Sequence, residues 1–107
     1  MEAFILKEGD TSPSIVYALL PASVILSGAT VRFSMRNRST GAVVIDRAAA
    51  VIVTATVTPT VRYDWQSADT ASAGFYDAEF EVTYSDATVE TFPNSTHIAV
   101  IINGDIA

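Results

Sequence analysis

From Gly74 to Thr83 the sequence reads GFYDAEFEVT, with Tyr76, Ala78, Phe80 and Val82 on one parity and Asp77, Glu79, Glu81 and Thr83 on the other. Successive side chains of a strand point to opposite faces, so this run is a strand with one face in a core and the other in water; helical periodicity would scatter the same residues around an axis. Phe75 is the one apolar residue on the polar side. The same period of two returns in TVRFSMRN, where Val31, Phe33 and Met35 oppose Arg32, Ser34 and Arg36, and in VRYDW, where Val61, Tyr63 and Trp65 oppose Arg62 and Asp64. The acidic row of the first run has two readings: a site for a cation or basic ligand, or the wet face of a sheet.

The remaining segments are short and punctuated by turn formers. FIL near the start is broken by KEGDTSPS; IVYALL, Ile15 to Leu20, is stopped by Pro21; RSTG, ending at Gly41, leads into AVVID. In AAAVIVTATVT, Ala48 to Ala50 are compatible with a helical turn, but Val51, Ile52, Val53, Thr54, Thr56, Val57 and Thr58 are β-branched and favour a strand, which Pro59 ends. A hairpin turn through SDAT joins the acidic strand to VETF, and after Pro93 the chain finishes on HIAVIIN. Seven or eight short strands and no helix predict an all-β fold, an antiparallel β-sandwich formed by residues 1–107 as a single domain.

At 107 residues, one hydrophobic core is adequate and a second domain has no room. Twelve acidic against six basic residues give a net charge of −6, a sign that disfavours phosphate backbones and anionic lipid, so neither nucleic acid nor membrane is an expected partner. With no cysteine, disulfides, thiolate nucleophiles and Cys-ligated zinc are excluded. MEAFILKEGD has acidic residues where a secretion signal has a basic region, and no apolar run approaches the ~20 residues of a membrane helix. Synthesis in the cytoplasm is expected.

Nothing announces catalysis. His97 is the only histidine, with no Ser or Asp spaced as triad partners, and one imidazole without thiolates cannot complete a zinc site. Asp64, Asp69, Asp77 and Asp86 fall near strand ends or loops and are the candidates for calcium, but no D-x-D-x-D-G loop is present and alternate residues of a strand project in parallel instead of converging. Solvated carboxylates are the favoured reading. The sequons at Asn37 and Asn94 are three-residue patterns of high chance frequency. The chain is therefore expected to be no enzyme, with no catalytic, cofactor or metal residues and no cofactor.

Tyr76 stands apart. A Gly two residues before a core-parity Tyr, at the start of a strand and after a polar connection bearing Asp69, resembles the tyrosine corner of immunoglobulin-like sandwiches, whose phenol bonds to nearby backbone. Trp65 is the candidate core aromatic.

Taken together, FILKEGDTSPSIVYAL, GATVRFSMRN with TGAVVID, and VRYDWQSADTASAGFYDAEFEVTYSDATVETFPN resemble the immunoglobulin-like N-terminal domain of phage baseplate upper proteins and related small phage virion proteins. The resemblance rests on Gly9, Asp10, Thr11, Pro13, Val31, Phe33, Met35, Tyr63, Trp65, Asp69, Thr70, Gly74, Tyr76, Ala78, Glu79, Phe80, Thr91, Phe92 and Pro93, in order along nearly the whole chain. Baseplate proteins of that kind continue into a stalk and receptor-facing region, whereas this sequence stops at Ala107. The resemblance implies a bacteriophage virion structural protein, a module docked on tail, baseplate or capsid through contacts with other virion proteins or by self-association in a symmetric array, and hence located in the virion. FIL and HIAVII as edge or end strands, and Phe75 on the wet face, are the segments available for contact. The alternative is a carbohydrate- or host-receptor-binding module, which requires exposed Tyr or Trp, whereas Tyr17, Tyr63, Trp65, Tyr76 and Tyr84 are mostly at core parity.

Overall fold

In the computed structural model, which describes residues 3–19, 25–56 and 58–106, nine strands form two facing sheets. They are β1 (Phe4–Lys7), β2 (Ile15–Ala18), β3 (Thr30–Asn37), β4 (Val43–Ala49), β5 (Val51–Thr54), β6 (Thr60–Tyr63), β7 (Gly74–Thr83), β8 (Val89–Phe92) and β9 (Ile98–Asn103). The larger sheet runs β1-β9-β7-β3-β4, and β8 pairs with β7 as well; the smaller runs β2-β6-β5. The chain is an all-β sandwich, as the alternation predicted. Two details differ from expectation. Nine strands replace seven or eight because AVVID and the alanine-rich run divide at Ala50 between two sheets, and β1 pairs with β9 in parallel, so the larger sheet is mixed. Ala48 and Ala49 end a strand instead of starting a helical turn; the only helical element among the described residues is a 3₁₀ turn at Ser67–Thr70. Leu20, Pro21 and Val57 lie outside the described residues.

The apolar parity of each alternating run faces the other sheet. Val31, Phe33 and Met35 of β3, Tyr76, Ala78, Phe80 and Val82 of β7, and Val61 and Tyr63 of β6 are all buried, and Trp65 joins them. Aromatic rings tie the layers together: Phe33 stacks on Tyr63 at 4.5 Å, and Phe80 of the larger sheet lies 6.0 Å from Tyr17 of the smaller.

The predicted tyrosine corner is present. The Tyr76 hydroxyl donates to the Ser72 carbonyl at 2.7 Å, pinning the connection into β7 to the strand it precedes. Removing this bond while keeping the ring, Tyr76→Phe, is expected to lower stability by about 1 kcal/mol, measured by urea unfolding. A loss below ~0.3 kcal/mol would mean that the bond is no better than one to water. The Gly-Asp-Thr and Asp-Thr motifs meet at the same end of the sandwich. The buried Thr70 hydroxyl donates to the Asp10 carbonyl at 2.9 Å, and the Gly9 amide to the Thr70 carbonyl at 3.0 Å. The residues of the motif therefore join two loops that are remote in sequence.

Candidate interaction face

The outer face of the larger sheet holds the acidic row, and its strand register explains that row. β7 pairs with β3 so that Asp77 lies opposite Arg36, Glu79 opposite Ser34 and Glu81 opposite Arg32. Opposite charges facing each other across an antiparallel pair stabilise it modestly, by ~0.2–1 kcal/mol each. Asp77 is the most engaged: Arg38 Nε donates to it at 3.1 Å, and Arg36 Nε is 3.9 Å away. The alternation of Arg32 and Arg36 along β3 is thus the counterpart of the acidic alternation along β7, and the row is a solvated, cross-paired sheet face.

A shallow groove of about 270 Å³ crosses this face, lined by Asp46, Glu79, Glu81 and His97 together with Arg36 and Arg47. Its β4 wall is shaped by a bulge: the register slips between Phe33 and Met35, and Arg47 takes a left-handed φ of 51° while its amide donates to Ser34 Oγ at 3.0 Å. Among the described residues, no three His, Asp or Glu side chains are grouped to hold a metal ion.

The four calcium candidates are not brought together. Asp64 accepts from Ser14 Oγ at 2.6 Å and from Arg62 Nε at 2.8 Å, contacts that hold its carboxyl below the usual range, the Ser14 bond being the larger cause. Asp69 accepts from the Tyr63 hydroxyl; Asp77 is held by Arg38; Asp86 accepts from the Thr88 hydroxyl and amide in the β7–β8 turn, which likewise depresses its titration. Each is consumed by its own neighbourhood. His97 is exposed beside the groove, with no hydrogen-bonded acid or hydroxyl among the described residues. The sequon asparagines also have local tasks: Asn37 Oδ1 accepts the amides of Ser39 and Thr40 in the β3–β4 turn, and Asn94 Nδ2 donates to the Thr91 carbonyl. The exposed Tyr or Trp that a sugar site requires is not found among the described residues, since Tyr63, Trp65 and Tyr76 are buried and Tyr17 and Tyr84 half-buried.

What the register does assemble is apolar. Ile5 of β1 pairs with Ile101 of β9, and Ile101 pairs with Phe75 of β7, so the three side chains form one row across three adjacent strands on the outer face. Ile5 is 59% and Phe75 55% exposed, with Ile101 partly covered between them. The three segments singled out in the sequence for contact, FIL, HIAVII and Phe75, meet here. One position is corrected: HIAVII is no edge strand, because β9 lies between β1 and β7. Sequence reasoning missed the row because its members are 26 or more positions apart and only strand order makes them neighbours.

No family model and no curated protein matches the chain. Among solved structures, its fold is similar to that of CopC from Methylosinus trichosporium OB3b, with a TM-score of 0.56 and 12% identity over 98% of this chain and 87% of that one. The class defined is therefore the β-sandwich, and at this identity the likeness shows the fold alone. It also corrects the expectation of a bacteriophage virion structural protein: the fold that nearly the whole chain presents is one found in CopC and is no signature of a virion part. The physical reason lies in the residues behind the resemblance. Val31, Phe33, Met35, Tyr63, Trp65, Tyr76, Ala78, Phe80 and Phe92 are all core, and core residues report how a sandwich is packed, not what its surface meets.

Proposed function

We propose that this chain is a non-catalytic protein-interaction module that engages its partner through the outer face of the larger sheet. The observation that carries this reading is the row Ile5–Ile101–Phe75: apolar side chains in register on three adjacent strands, with the charged residues Asp77, Arg36 and Arg38 beside it. Scattered surface apolar residues are ordinary, but a contiguous set rimmed by polar groups is the signature of a contact site. The rim is supplied by Asp77 with Arg36 and Arg38, whose mutual pairing leaves directional polar groups at the edge of the apolar strip. Metal binding draws no support from the described donors, given the separate engagements of Asp64, Asp69, Asp77 and Asp86.

The test places a photo-crosslinking phenylalanine at position 75 in the organism that makes the protein, with position 16, equally exposed on the smaller sheet, as control. A discrete adduct from position 75, absent from position 16 and lost on Ile101→Lys, is expected. Adducts identical from both positions, or none from position 75, would overturn the reading.

A further inference from the structure

Among the described residues, four sheet edges of the sandwich are blunted. On β4 the edge is broken by the bulge at Asp46 and Arg47, both charged; on β5 the register slips between Ile52 and Thr54; β2 follows Pro13, which has no amide to donate; β8 carries Glu90 and runs into Pro93. These are the devices by which proteins keep edges from pairing. By contrast, β1 pairs with β9 in unbroken register from Phe4 to Lys7, with no bulge or proline and no acidic residue within the strand, and the Asp10 carboxylate reaches its edge at Lys7.

The hydrogen bonds show where its free groups lie. Glu8 donates its amide to Asn103 at the end of β9, whereas the Lys7 amide and carbonyl bond to Asp10, so Lys7 faces away from β9. Backbone groups alternate sides along a strand, and Ile5, two residues before Lys7, therefore turns its N–H and C=O to the open edge as well. Lys7 is capped by Asp10; for Ile5, no partner exists among the described residues. The same residue exposes 59% of its surface at the edge end of the apolar row.

We propose that β1 pairs antiparallel with β1 of a second copy of this chain about a two-fold axis at Ile5. The two Ile5 residues then exchange both backbone hydrogen bonds, the arrangement of a hydrogen-bonded antiparallel pair, and a two-fold demands such self-complementarity. Pairing here continues the apolar row across both copies, from Phe75 through Ile101 and Ile5 into the partner's equivalents. It also places two chains of net charge −6 in contact along a strand that has no acidic residue. The proposal rests on the interaction-module reading and names one partner of that face, with Phe75 left free on each copy. An edge of four residues buries little area, so the dimer is weak, forming at about 0.1–1 mM protein.

Sedimentation velocity from 10 µM to 1 mM, with amide exchange of Ile5 followed by NMR, tests it. A concentration-dependent rise to twice the monomer mass is expected, with slowing of Ile5 exchange by at least tenfold. Ile5→Lys is expected to abolish both the dimer and its Ile101-flanked strip, whereas Phe75→Lys leaves the dimer intact and removes only the crosslinked partner. Ellipticity at the β minimum checks that each variant is folded. A monomer at 1 mM with freely exchanging Ile5 overturns the dimer while leaving the interaction module standing. A dimer that survives Ile5→Lys, or that is lost in Phe75→Lys, overturns the β1 geometry.

Discussion

Phe33→Ala is expected to cost about 4 kcal/mol, the largest single effect in the molecule, because truncating a fully buried ring removes its transfer free energy and leaves a cavity. Phe33 has no exposed surface and sits where the sheets meet: Tyr63 stacks on it at 4.5 Å, Phe80 lies at 4.9 Å, and Trp65 presents its edge at 5.6 Å. Three aromatic contacts add to the burial, at ~0.5–1.5 kcal/mol each where the geometry is favourable. Against a total stability of ~5–15 kcal/mol for a domain of this size, the variant is close to unfolding. Urea midpoints at constant slope measure the loss, and Phe33→Leu should recover at least half of it. A loss below ~1 kcal/mol would show that the ring does not bridge the layers.

The second large effect is electrostatic. One oxygen of Asp69 accepts from the Tyr63 hydroxyl at 2.6 Å and from the Gln66 amide at 2.8 Å, joining the 3₁₀ turn to β6. Asp69→Ala strips both bonds and leaves a buried phenol unsatisfied, so a loss of about 2–3 kcal/mol at pH 7 is expected. The loss depends on pH. Burial first, then the bond to Asp69, the Asp69 charge and the Asp64 charge raise the Tyr63 phenol well above its usual value of 10.0. The folded state therefore holds a proton that the unfolded state gives up. The resulting stabilisation is full below pH 10 and is lost as pH rises through the folded value. Without Asp69 the folded phenol titrates closer to its unfolded value, so stability falls less steeply in alkali. The gap between wild type and variant should narrow from pH 9 to pH 11 in urea melts; a gap that widens would assign the bond to another residue.

Function was less legible than fold, for a reason visible in particular residues. The phage resemblance drew on Gly9, Asp10, Thr70, Tyr76 and the aromatic core, and these residues tie loops or fill the interior. They are constrained by packing in any sandwich built this way, so they carried the architecture correctly and the role wrongly. The surface candidates fared differently. Asp64, Asp69, Asp77 and Asp86 each found a donor within a few residues or on the adjoining strand, which no spacing rule could anticipate for Ser14–Asp64 or Arg38–Asp77. Phe75, apolar at a polar parity, was a visible sign of the apolar row.

A period of two, written out in residues 30–37 and 74–83, decided by itself that the chain is a sandwich and which side chains enter its core, since strand geometry forces alternate residues to opposite faces. Strand order carries no such local rule. That β9 should pair between β1 and β7, in parallel with β1, is fixed by how the two layers fill each other's gaps over the whole chain, and it is this order that sets Ile5, Ile101 and Phe75 side by side. The sequence determined the interior through spacing; only tertiary packing, acting between residues far apart in the chain, decided what the exterior presents.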